Sequence, residues 1–204
     1  DGNSIFFSNN KNQFFSIDVK TGIVNWINKI NSNLSPILSE KFIFTVSNEG
    51  YLYVIGSNQE QSSDGEQSSW GLDDLIILDL NADPSNPVKV GGWSGEYIHD
   101  VCLYEDRLYA SMIYTDEVYV FDVSDKTSPQ LITQWGGIPN SHACWVSDDG
   151  NTLFTASETS SGHILSWDVS DINNVNFLDE WFPEDGEEWS AHNIFYKNGY
   201  IIAS

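Results

Sequence analysis

Apolar residues fall along this chain in short runs, separated by clusters of Asp, Ser, Asn, Gly and Pro. Runs such as RLYASMIY (Arg107 to Tyr114) and EVYVFDV (Glu117 to Val123) are built from β-branched and aromatic residues and lack a 3.6-residue apolar spacing. Such runs predict strands, and no stretch reads as an amphipathic helix.

The runs repeat. VYVFDVSDKTSPQLITQW (Val118 to Trp135) echoes LIILDLNADPSNPVKVGGW (Leu75 to Trp93) and ILSWDVSDINNVNFLDEW (Ile164 to Trp181). Each copy is an apolar run ending in Asp-Val or Asp-Leu, then a polar turn, then a second run ending in Trp. Asp79, Asp122 and Asp168 recur at intervals of 43 and 46 residues, and Trp93, Trp135 and Trp181 at 42 and 46. Periods in the forties with several strands per unit are those of four-stranded propeller blades. In the clearest unit, Tyr97 to Trp135, the strands are IHDVCLYE, RLYASMIY, EVYVFDV and QLITQW, and in the next unit Asp148-Asp149-Gly150-Asn151 predicts a hairpin. The run up to Ser204 reads as part of a second strand in a further unit.

SIFFSNN, QFFSIDVKTGIVNW and FIFTVSNEGYLYVI, in the first third, keep the order strand, Asp, turn, Trp through Asp18, Thr21, Gly22 and Trp26. The expected organisation is therefore repeats over 1–56, a polar linker or loop over 57–72 that is nearly free of aliphatics, and repeats over 73–204, or a single propeller domain. The fold class expected is all-β, a β-propeller of four-stranded antiparallel blades, with about five blades' worth of strands, partial or composite.

Two resemblances rest on these residues. Through DVKTGIVNW and NEGYLYVI, residues 4–55 resemble the PQQ-like repeat, the blade type of quinoprotein dehydrogenases and of an outer-membrane assembly lipoprotein. Through LIILDLNADPSNPVKVGGW and VYVFDVSDKTSPQL, residues 75–204 resemble the LVIVD-repeat proteins, also called choice-of-anchor B proteins. Both resemblances imply a propeller, and neither carries an activity with it. The quinone cofactor of the first family does not transfer, because those enzymes use an adjacent cysteine pair and this chain has no Cys-Cys.

Charge narrows the partners. Thirty acidic residues against eight basic give a net charge of −22, which repels phosphate backbones and anionic lipid. Nucleic acid is excluded as a partner class, and no apolar run is long enough for a transmembrane helix. A start at Asp1 without initiator Met or an apolar leader fits a chain whose signal peptide has already been removed, and the expected location is extracytoplasmic: periplasmic, cell-surface or secreted. The acids after each repeated Asp match Asx-type turns; Asp79, Asn81 and Asp83 begin a calcium-loop pattern but lack its central Gly and closing Glu.

Candidate chemistry centres on histidine. His99 in YIHDV, His142 in NSHACW and His192 in SAHNIF each open the expected innermost strand of successive units, so in a closed ring they would line one end of the central channel. One reading makes them seam residues. A second makes them ligands of a transition metal, with Glu158 as the nearest carboxylate and oxidation chemistry as the enzymatic alternative, and a third has one of them act as a general base. His163 breaks the pattern and is expected at the surface. Cys102 and Cys144 each follow one of these histidines and are read as two buried thiols or a disulfide. No catalytic residues and no cofactor are predicted: there is no Gly-rich phosphate loop, no GxSxG and no HExxH. The first functional expectation is a non-catalytic binding or scaffold module for protein, peptide or glycan, with Trp145, Glu187, Glu188 and Trp189 as contact surface. The alternatives are the metal-dependent enzyme and a fragment or assembled sequence without independent function.

Overall fold

The computed structural model describes residues 4–9, 13–28, 37–39, 42–44, 50–55, 73–81, 83, 86–182 and 189–204. The polar stretch over 57–72 lies outside them. Among the described residues every regular element is a strand, and no helix is long and apolar enough to cross a membrane. The chain divides into two compact units, Asp1–Tyr53 with Ile77–Val90, and Val54–Ile76 with Gly91–Ser204.

The first strands are β1 (Ser4–Asn9), β2 (Gln13–Asp18) and β3 (Val24–Asn28), an antiparallel meander, then the paired β4 (Ile37–Ser39) and β5 (Phe42–Phe44). A three-stranded sheet follows in the order β6 (Tyr51–Ile55), β7 (Leu75–Asp79), β8 (Val88–Trp93). Two complete four-stranded antiparallel sheets come next. One runs β9 (Asp100–Tyr104), β10 (Arg107–Met112), β11 (Glu117–Asp122), β12 (Gln130–Gly136); the other β13 (Ser141–Val146), β14 (Thr152–Ser157), β15 (Ile164–Asp168), β16 (Asn176–Trp181). The hairpin β17 (Ile194–Lys197) and β18 (Tyr200–Ala203) completes the order. The architecture is all-β, made of the four-stranded antiparallel blades of a propeller, and the strands expected for the unit from Tyr97 to Trp135 are those observed.

Short loops set the registers. Asn198 and Gly199 both take positive φ, 51° and 85°, the Asn-Gly signature of a two-residue hairpin turn whose twist matches the strands it joins. Each repeated Asp caps its own turn: Asp122 accepts from the amide of Ser124 at 2.9 Å, Asp168 from Ser170 at 3.0 Å, Asp79 from Asn81 at 2.8 Å and Asp18 from Lys20 at 3.0 Å. These are Asx turns, in which the carboxylate replaces a backbone carbonyl as acceptor. The register then slips one residue before the repeated Asp in three separate sheets, between Ser16 and Ile17, between Val120 and Phe121, and between Ser166 and Trp167. A bulge recurring at one repeat position joins the divergent first third to the later copies on structural grounds.

The repeat also explains its own Trp. Trp93 sets its ring edge against Phe121 at 4.9 Å between centroids, and Trp135 meets Trp167 at 5.8 Å. Phe121 and Trp167 are equivalent positions, each just before the repeated Asp, so the Trp closing one unit packs on the central strand of the next. The core therefore lies between successive sheets, where Tyr109, Val118, Val120, Leu153, Leu165 and Trp167 gather. Both faces of β10 and β11 are covered, which is why their sequences read as unbroken apolar runs, while the outer strands β12 and β16 are largely exposed.

Tight backbone approach fixes the entry to β15. The amide of Gly162 donates to Thr159 O at 2.9 Å and Trp189 O at 3.1 Å, and a Cβ at this position would overlap the Ser157 carbonyl oxygen. Gly162→Ala is expected to destabilise by about 1–3 kcal/mol, because the obstacle is backbone and cannot rotate away. Urea unfolding checks this, and an unchanged midpoint would contradict it.

Candidate metal centre

The first strands of successive sheets pack on one another, β9 against β13 and β13 against β17. His99 directly precedes β9, His142 lies in β13, and His192 stands two residues before β17, so this packing brings three rings from distant sequence into one stack. The ring centroids of His99 and His142 are 4.2 Å apart, and those of His142 and His192 are 4.0 Å apart. Glu158, the residue after β14, completes the group. Its Oε2 is 3.5 Å from His142 Nε2 and its Oε1 is 3.7 Å from His192 Nε2.

Neighbouring polar groups hold Glu158, His99 and His192 in place, whereas the buried Nδ1 of His142 has no hydrogen-bond partner among the described residues. Glu158 is anchored through its backbone by Asn140, whose carbonyl accepts its amide at 3.1 Å and whose Nδ2 donates to its carbonyl at 3.0 Å. Asn140 itself sits at φ 46°, a left-handed conformation that Asn tolerates. His99 Nδ1 is 3.2 Å from the His142 carbonyl, so that nitrogen carries the proton and donates. The Asn193 side-chain amide lies 2.7 Å from His192 Nδ1. Asn193 Nδ2 donates in this contact, so the proton of the neutral His192 ring sits on Nε2, toward Glu158, and is displaced when a metal takes that nitrogen.

Electrostatics favour a neutral imidazole at the centre. Burial lowers the pKa of His142, the adjacent His99 and His192 lower it further, and Glu158 only partly opposes them. The 3.5 Å approach of His142 Nε2 to Glu158 Oε2 is thus not an ion pair at neutral pH, and neutral imidazole is the form that ligates. The ligand atoms of His142, Glu158 and His192 all lie within 4.8 Å of one another. Two ligands about 2.1 Å from a tetrahedral ion sit about 3.4 Å apart, so the two carboxylate contacts are already near coordinating distance. His142 is buried while His192 is half exposed, which gives the group one wet side.

The other sequence candidates are placed elsewhere. His163 is partly exposed, 3.2 Å from Glu180 and stacked on Phe182, away from the cluster. Trp145 is 37% exposed and meets Phe195 edge-on at 5.2 Å, whereas Trp189 meets Trp181 at 5.5 Å; the two line separate hollows of about 330 and 440 Å³. Glu187 and Glu188 lie outside the described residues. Sequence reading missed Asn140 and Asn193, whose signal is only an Asn beside a Ser-His or a His. It also missed Asp100, whose carboxyl burial raises to about 6 against backbone donors at Val101 and Cys144 and the neighbouring His99. Cys102 and Cys144 are free and buried, and burial with the adjacent sulfur pushes the Cys102 thiol well up, so little of it is thiolate at neutral pH and its exchange is slow.

No family model matches the sequence, and no curated protein sequence does. Solved structures share its fold, among them these three. A candidate 6-phosphogluconolactonase from Bacteroides uniformis superposes with a TM-score of 0.55 at 13% identity, over 100% of this chain and 61% of that one. A protein of unknown function from Desulfotomaculum acetoxidans gives 0.51 at 11% identity, over 94% and 72%. A protein from Lactobacillus plantarum gives 0.52 at 16% identity, over 92% and 57%. At these identities the likeness establishes architecture and leaves chemistry to the site. The chain spans about three fifths of the length of the first of them.

Proposed function

We propose that this chain is a segment of an extracytoplasmic β-propeller binding module, and that its site is a divalent transition-metal centre made by His142, His192 and Glu158, with His99 packed beside it. The observation that carries the reading is the convergence of two imidazoles and one carboxylate from three separate segments onto a single point. Two nitrogens and one oxygen with a solvent-facing side suit Zn²⁺ or Fe²⁺, the wet side leaving a coordination position open. The finer repeat assignment, PQQ-like for 4–55 and LVIVD-like for 75–204, belongs to the same proposal and is supported by the motifs DVKTGIVNW and NEGYLYVI in the first part and LIILDLNADPSNPVKVGGW and VYVFDVSDKTSPQL in the second. Trp145, exposed over its hollow, is proposed as a contact for a protein or glycan partner.

Calorimetric titration of chelator-stripped protein with Zn²⁺ tests the centre. One ion per chain is expected. Glu158→Gln and His142→Ala should each weaken binding roughly 100-fold, since one loses a charged ligand and the other a buried one. His163→Ala, outside the cluster, should leave binding unchanged. Absence of binding heat, together with less than about a tenth of a metal per chain by elemental analysis, would end the proposal. The open side also favours a second reading, an oxidative enzyme using the same centre. Oxygen uptake by the Fe²⁺-loaded protein, abolished in Glu158→Gln, would select it over the binding module.

A further inference from the structure

The two cysteines lie on different sheets, Cys102 in β9 and Cys144 in β13, yet their sulfurs are 3.1 Å apart. Both are buried, with Cys144 Sγ also 3.5 Å from the Tyr109 carbonyl oxygen. We propose that Cys102 and Cys144 form a disulfide that joins β9 covalently to β13, stapling two successive blades. The inference does not use the metal centre, although the pair lies close to it along the same two strands, Cys102 three residues after His99 and Cys144 two after His142.

Three observations carry it. The sulfurs need to close by only about 1 Å to reach a bond of about 2.05 Å, a shift two side chains can share by small changes of rotamer. Each cysteine is held in a strand ladder, Cys102 opposite Tyr109 and Cys144 opposite Thr155, so the pair meets by tertiary packing rather than by chance excursions of a loop. And Cys102, 9% exposed, lines the hollow of about 330 Å³ that Tyr104, Trp145 and Asp148 also border, whereas Cys144, 1% exposed, does not, so a disulfide reagent approaches the pair from the Cys102 side.

The chemistry is thiol–disulfide exchange with a small-molecule disulfide. The Cys102 sulfur, giving up its proton, attacks one sulfur of the oxidant; the oxidant's S–S bond breaks and its first thiol leaves. Cys144, losing its proton in turn, attacks the Cys102 sulfur and expels the second thiol. Two S–H bonds are exchanged for one S–S bond, and both electrons and both protons end on the oxidant, which becomes two thiols. The bond closes a segment of 42 residues, which restricts the unfolded chain more than the folded one.

The whole chain, incubated natively with excess glutathione disulfide and then unfolded with iodoacetamide, supplies the test. Mass spectrometry should find neither cysteine alkylated, an intact mass lower by about 2 Da, and one cross-linked peptide pair joining Cys102 to Cys144. The thermal midpoint should rise by roughly 5–10 °C and return on adding reductant. In Cys144→Ser, Cys102 should stop at the glutathione adduct. Full alkylation of both cysteines in the oxidised wild type, a stable glutathione adduct there, or bonds formed only between two chains would each overturn the proposal.

Discussion

Trp167→Ala is expected to lower stability by about 4 kcal/mol, the range for removing a buried Trp from a packed core. Trp167 is only 8% exposed, its ring meets Trp135 and Phe177 at 5.8 and 5.5 Å, and its indole N–H donates to Thr155 Oγ1 at 3.0 Å. The substitution opens a cavity between two sheets and leaves the buried Thr155 hydroxyl without that donor. In a chain of this size the thermal midpoint should fall by roughly 10 °C. Trp167→Phe separates the two losses, since it keeps most of the packing and removes only the hydrogen bond, and should cost about 1–2 kcal/mol. Urea unfolding followed by circular dichroism measures both. A loss under about 1 kcal/mol for the alanine variant would mean that the contact between repeats does not hold the sheets together.

Asp100→Asn is expected to stabilise the protein at neutral pH. Burial raises the Asp100 carboxyl to about 6, despite hydrogen bonds from the Val101 and Cys144 amides and the proximity of His99. The folded state therefore holds a proton that the unfolded state releases near the ordinary value of about 3.9. Between those two values the folded chain binds more protons than the unfolded one, so the contribution of Asp100 to stability falls as pH rises from about 4 to about 6 and stays lost above. An amide avoids the buried charge while still accepting from the backbone donors. At pH 7.5 the variant should exceed the wild type by about 2–3 kcal/mol, and at pH 4 the difference should nearly vanish.

Other carboxylates tilt the wild-type profile the opposite way. Asp122, Asp125 and Asp168 are held below their ordinary range by the side chains of Ser124, Thr127 and Ser170 and by the backbone amides of the same residues. Their support is lost as pH falls through that range. Only the difference between variant and wild type therefore isolates Asp100, and a difference constant from pH 4 to 7.5 would refute its raised carboxyl.

Strand identity and turn chemistry were legible in the linear order because both are local. A run such as EVYVFDV can bury both faces only as a central strand, and an Asp two residues before a free amide caps its own turn whatever surrounds it. The repeat interval was equally plain, and its meaning became physical once Trp93 was seen against Phe121 and Trp135 against Trp167. The first third was harder to assign, since it shares little wording with the later copies. Its kinship rests on the bulge beside Asp18, a backbone feature that many side chains can accept.

What the sequence alone determined, then, is what neighbours along the chain can decide: all-β strands, their turns and their periodicity, and which histidines begin which strands. Distances between residues some 16 to 50 positions apart depend on how strands and sheets lie on one another, and packing alone decides them. That is why only the tertiary structure could set Glu158 between His142 and His192, bring the Cys102 and Cys144 sulfurs into contact, and partly bury Asp100 beside the Cys144 amide.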